Sequence, residues 1–130
     1  MNPLNYCTLP YAQKLQAAGI VMDTQKNWVK CKDGIWVFMF IGDVGRHAIG
    51  EVETWISAPS MYEAWMELPG KLSTQWAEYY LLIGKDEEET VVEYRDTHWN
   101  LLGGSRHSNV NPTDALIDLR VWLEGRKEKL

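Results

Sequence analysis

The sequence predicts one α+β domain: an antiparallel or mixed sheet of about five strands with three helices packed mainly on one face. Three observations carry this. The candidate elements follow the order helix, hairpin, strand, helix, hairpin, helix, with no alternating βαβ pattern and no internal repeat. Asp33-Gly34 lies between two β-rich runs and reads as a hairpin turn. Capped helix starts stand at Ser60 and at Asn111. We expect a single domain over residues 1–130, a length that buries about two-thirds of the surface the unfolded chain exposes.

The first helix is expected to begin at Thr8, whose hydroxyl can cap free amides. Pro10 sits in the opening turn, and Gly19 supplies a left-handed stop. Tyr11, Leu15 and Ala18 share one helical face. Strands at 28–32 and 35–41 then flank Asp33-Gly34. A two-residue type I′ turn pairs Cys31 with Trp36 and Val29 with Phe38. That register places Val29, Cys31, Trp36, Phe38 and Phe40 on a core face, with Cys31 buried against Trp36. The opposite face carries Trp28, Lys30, Lys32, Ile35, Val37 and Met39.

A loop with Gly42, Asp43 and Gly45 leads to a third strand at about residues 49–56, ended by Pro59. Ser60 with Glu63 forms a capping box for a short helix that runs to the Pro69-Gly70 breaker. After a polar link, residues 76–83 and 90–96 form a second hairpin around the acidic 84–89 turn. Residues 97–110 read as a loop. The last helix has Asn111 as its cap, Pro112 in its first turn, and an apolar stripe of Leu116, Leu119 and Leu123.

Acidic side chains outnumber basic ones 18 to 13, and the net charge is −5. Such a field repels phosphate backbones and argues against nucleic acid as a partner. The basic run Arg126, Lys127 and Lys129 suits a solvated helix end. Cys7 and Cys31 fit neither a redox pair nor a zinc spacing, so two reduced thiols are expected. The longest apolar run, 35–41, is too short to span a bilayer. The expected setting is the cytoplasm of a bacterial host cell, without membrane association.

His47, His98 and His107 lack metal-ligand spacing, and no motif calls for a metal or a cofactor. Asp96 and His98 alternate near a strand end and could serve as orienter and base, yet no nucleophile or oxyanion motif accompanies them. The sequence therefore leans away from an enzyme. Gly103 to Asn109, with Ser105, Arg106 and His107, forms a Gly/Ser cluster that could cradle an anion but lacks P-loop spacing. A surface connector is the plainer reading. Asp96, His98, Ser105, Arg106 and His107 are the candidate ligand-binding residues.

Seven tryptophans are many for this length. Trp36, Trp65 and Trp122 lie on stripes that look internal, whereas Trp28 and Trp99 lie on mixed or loop segments that suit a protein interface. Candidate interface residues are thus Trp28, Ile35, Val37, Met39 and Trp99. If the helices cover the other face of the first hairpin, a twofold homodimer through this patch is the economical arrangement.

The run from Trp55 to Trp65 (WISAPSMYEAW), then Glu67-Leu68-Pro69, and the late Asn111-Pro112-Thr113-Asp114-Ala115-Leu116 with Trp122-Leu123, stand with the opening Cys7-Thr8-Leu9 and its helix to Gly19-Ile20. Together they resemble a family of short uncharacterised proteins encoded by phages and prophages of Bacteroides-type gut bacteria. The resemblance spans most of the chain and rests on caps, breakers and core stripes. It implies an accessory protein of a mobile element. The function expected is a non-enzymatic protein-binding module acting on a host or phage protein. The alternative is a small-ligand-binding protein or minor hydrolase using the late Gly/Ser/Arg/His loop.

Overall fold

A computed structural model describes residues 6–40 and 52–127. The loop with Gly42, Asp43, Gly45 and His47, the start of the expected third strand at 49–51, and the tail residues 128–130 lie outside the described residues. The class is α+β. Helices are α1 (Leu9–Ala17), α2 (Met61–Met66) and α3 (Pro112–Lys127). Strands are β1 (Lys26–Cys31), β2 (Trp36–Phe40), β3 (Val52–Ser57), β4 (Lys71–Ser73), β5 (Glu78–Asp86), β6 (Glu89–Arg95) and β7 (His107–Asn109).

The strands form two sheets rather than the single sheet of about five strands expected, in the orders β2-β1-β3 and β4-β5-β6-β7. The additional strands, β4 and β7, have three residues each and carry no period-2 apolar pattern. Ladder pairing to β5 and β6 makes them strands. α3 packs on β6, β7, α1 and α2, while α1 also reaches β3. One apolar cluster therefore runs from Ile56 of the first sheet through Leu15 and Leu116 to Val92 and Tyr94 of the second. Ala115, Leu116, Ile117 and Leu119 are all fully buried, as befits a helix with neighbours on several sides.

The expected helix signals are present, with one change. Asn111 Oδ1 accepts from the Thr113 and Asp114 amides at 2.9 and 3.2 Å. Ser60 and Glu63 form the reciprocal capping box at 3.1 and 2.8 Å, although α2 ends at Met66, short of Pro69. Gly19 (φ 73°) closes α1: its amide reaches Gln16 O and that of Ile20 reaches Leu15 O, the paired bonds of a Schellman motif. Thr8 precedes α1 but does not cap it. Its amide and hydroxyl instead donate to the two carboxylate oxygens of Asp114, at 2.9 and 2.8 Å. Asp114 is buried, and a buried carboxylate needs donors more than an exposed helix end does.

The first hairpin adopts a different register from the one expected. Gly34 N–H bonds Cys31 O at 2.9 Å and Cys31 N–H bonds Ile35 O at 3.0 Å, so the loop has three residues. A type I′ turn needs positive φ at both central positions, and only Gly34 (φ 87°) takes it. The Asp33 carboxylate instead accepts the Ile35 amide at 3.0 Å. Trp28 now faces Phe38, Val29 faces Val37, and Lys30 faces Trp36. A one-residue slip moves side chains to the opposite face relative to the partner strand. Trp28 thus joins Trp36 and Phe38 against the core, its ring 5.3 Å from Phe38 and its indole N–H donating to Cys7 O at 3.2 Å. Cys31 shares a face with Val29, not Trp36, and is only half-buried. Cys7 is the buried thiol.

The second hairpin is longer than expected because Asp86 pairs with Glu89, leaving Glu87 and Glu88 as the turn and Glu87 at φ 53°. At its base, fully buried Tyr94 donates from its hydroxyl to Pro69 O at 2.7 Å. That bond ties β6 to the segment between α2 and β4.

Candidate functional site

The five candidate ligand-binding residues of the late loop do not converge. The Asp96 carboxylate accepts the His98 and Asn100 amides at 2.9 and 2.8 Å and the Asn100 side chain at 3.1 Å. These bonds, the Asn100 amide above all, hold its pKa below the ordinary carboxylate value. They shape a turn and do not orient the exposed His98 ring. Ser105 is fully buried, its hydroxyl accepting from Tyr94 N–H at 3.2 Å and donating to Tyr94 O at 3.4 Å. It stitches the loop to β6 instead of facing solvent.

Arg106 lies 3.7 Å from Asp86 and 4.0 Å from Glu93. His107 follows it in β7 and packs on the Trp122 ring, with centroids 6.3 Å apart. Burial lowers the His107 pKa, Asp118 partly offsets this, and Nε2 is buried without a hydrogen-bond partner among the described residues. Gly104 (φ 82°) admits that arrangement, since a Cβ there would stand 2.9 Å from Trp122 Nε1.

The candidate interface residues divide: Ile35, Val37 and Met39 alternate along one side of the hairpin, whereas Trp28 and Trp99 lie apart from them. Trp28 is turned into the core, Ile35 projects at the hairpin tip, Val37 is exposed, and Met39 is half-buried. Trp99 (φ 68°) is 66% exposed, its ring beneath the Arg95 guanidinium at 5.5 Å.

A groove of about 1060 Å³ lies elsewhere, between the end of α2, the β4–β5 ladder and the C-terminal half of α3. Its floor includes Leu68, Leu72, Tyr79 and Leu123. Cross-strand pairing sets Leu72 opposite Tyr79, and both pack on the apolar cluster. The turn between β4 and β5 is pinned by Thr74, whose hydroxyl accepts the Trp76 and Ala77 amides at 3.2 and 3.1 Å. With the backbone held this way, Trp76 stands on the rim 85% exposed, and Met66 on the α2 side is 63% exposed.

Arg120 and Arg126 line the α3 wall. Arg120 is held by Glu124 at 2.7 Å and approaches Glu67 at 3.9 Å. The Arg126 guanidinium lies 5.2 Å over the Trp122 ring. Among the described residues, no His, Cys or Lys lines this groove, so its Ser73 and Thr74 hydroxyls have no such base beside them. Among the same residues, no group of three His, Cys, Asp or Glu side chains could hold a metal ion, and no helix is long and apolar enough to cross a membrane. What the groove offers is apolar contact area edged by two guanidinium groups.

Sequence reasoning missed this place because its walls come from separated segments, each unremarkable alone. Trp76, expected at the start of the strand 76–83, stands instead in the turn before β5, which begins at Glu78. No protein-family model, curated protein or solved structure matches the chain.

Proposed function

We propose that this protein is a non-enzymatic protein-binding module that engages a partner through the groove between α2, β4–β5 and α3. The observation that carries this reading is the open, apolar groove whose rim holds Trp76 and Met66 in solvent. Small-ligand sites enclose most of their ligand, whereas large side chains left exposed around an apolar floor suit a partner that extends beyond the cavity. Tryptophan on such a rim is the residue type that dominates interface energetics. The resemblance to phage-encoded proteins adds weight, by association, to a host or phage protein as target and to action in the bacterial cytoplasm.

The test is selection of a displayed random peptide library on the immobilised protein, followed by titration of soluble hits against Trp76→Ala. Enriched peptides that lose about tenfold or more in affinity on this substitution support the reading. A library that yields no binders, or binders indifferent to Trp76→Ala, overturns it.

A further inference from the structure

We infer that a cleft between α1 and β3 is a second binding site, one that takes a small uncharged ring carrying an amino or amide N–H2 group, of which an aromatic carboxamide is the simplest. It lies on the first sheet and is independent of the groove proposed above. The cleft, of about 230 Å³, is bounded by the C-terminal half of α1, the link that follows Gly19, and β3. A water molecule in the liquid occupies about 30 Å³, so the space corresponds to roughly eight waters, the size of one substituted ring.

The chemistry of the ligand follows from two side chains in the cleft wall. Asn27 is only 4% exposed. Its Nδ2 donates to Ile56 O at 3.3 Å, while Oδ1 is buried with no hydrogen-bond partner among the described residues. Ile56 O can only accept, so it selects the amide orientation that leaves Oδ1 unpaired. An unpaired buried acceptor costs stability, and such an atom calls for a donor from outside the chain. The bond to Ile56 O is long and the terminal torsion of an asparagine is broad, so a small rotation turns Oδ1 onto an incoming N–H. Ser57 stands directly opposite Asn27 in the ladder and lines the same cleft. Its hydroxyl commits its proton to Met22 O at 2.8 Å, so towards a ligand it too can only accept. Two neighbouring acceptors match a group with two N–H donors.

The remaining walls exclude an ion and favour a ring. Among the described residues no charged side chain lines the cleft, so an ion would lose its water without gaining a counter-charge. Leu15 and Ile20 are buried there, and Trp55 is 57% exposed. A flat ligand covers indole surface that otherwise stands in water.

Three compounds of one shape test this on the intact chain by amide NMR titration: benzamide, acetophenone with a methyl group in place of N–H2, and benzoate with an oxyanion there. Benzamide should shift the Asn27 side-chain amide and the backbone amides of Gly19 and Val21, and bind about tenfold or more tightly than acetophenone, which leaves Oδ1 unpaired. Benzoate should bind more weakly than benzamide. Asn27→Ala should abolish the preference, so that benzamide and acetophenone bind alike. Trp55→Ala, at an exposed position where substitution spares the fold, should weaken both and keep their order, which holds the test open if Asn27→Ala does not fold. Equal affinity of the wild type for benzamide and acetophenone overturns the inference, as do tighter binding of benzoate, a preference that survives Asn27→Ala, shifts confined to residues outside the cleft, or no saturable shift with benzamide. None of these outcomes bears on the groove, which the peptide library reads separately.

Discussion

Gly104→Ala should destabilise the protein by about 2–5 kcal/mol, from two separable causes. Gly104 holds φ 82°, a left-handed conformation that costs an alanine about 1–2 kcal/mol. The added Cβ would also stand 2.9 Å from Trp122 Nε1, closer than van der Waals contact permits, and forced overpacking costs about 1–3 kcal/mol. Trp122 cannot yield freely, since His107 packs on one part of its ring and Arg126 lies over it. Equilibrium urea unfolding at constant m-value reads the loss as a lower midpoint.

The neighbouring Gly103 is the control. Its φ is not positive and nothing lies within 4 Å of the place a Cβ would occupy, so Gly103→Ala should stay within about 0.5 kcal/mol. A double-mutant cycle with Trp122→Phe, which removes Nε1, isolates the contact from the backbone strain. Gly104→Ala within about 0.5 kcal/mol of the wild type would refute the reasoning, as would an equal loss at Gly103.

Two further outcomes follow from burial. Burial raises the Cys7 thiol pKa far above its ordinary value, and Cys31 is half-exposed. A disulfide reagent under native conditions should therefore modify one thiol quickly, mapped to Cys31 by peptide analysis, and Cys7 only on unfolding; fast modification of Cys7 would contradict the packing. Burial also depresses His107 below its ordinary value of 6.5, so the unfolded chain takes up that proton first as pH falls. The stability contribution is full above 6.5 and is lost as pH drops through that value towards the lower folded pKa. Asp114 has the opposite sign: burial raises its pKa above 3.8, so its effect runs from 3.8 upward to the folded value. Comparing the wild type with His107→Gln as pH falls from about 7.5 through 6.5, where the unfolded chain takes up the proton, should show a shallower acid slope in the variant. Identical slopes would count against the burial of that ring.

Local sequence by itself determined where α2 and α3 start and where α1 stops. Ser60 with Glu63, Asn111 with Pro112, and Gly19 act over three or four residues, so the partners that satisfy their free amides and carbonyls are near in the chain. It also determined that two hairpins form and that the class is α+β. The hairpin register depended on more. Asp33-Gly34 fits either a two-residue or a three-residue loop, and the burial of Trp28 with Phe38 beside Tyr6 and Cys7 accompanies the longer one.

Tertiary structure alone decided the rest. β4 and β7 exist because β5 and β6 offer them ladder partners, and their own residues carry no strand pattern. Thr8 serves Asp114, which lies 106 residues away. Ser105, legible only as part of a Gly/Ser loop, is drawn inward to the Tyr94 backbone because buried amides and carbonyls must be paired. The groove is the furthest from the sequence: Leu68, Leu72, Tyr79 and Leu123 meet only once α3 is laid across the second sheet. Contacts between distant segments follow from which apolar faces can be buried together, and that is a property of the whole chain.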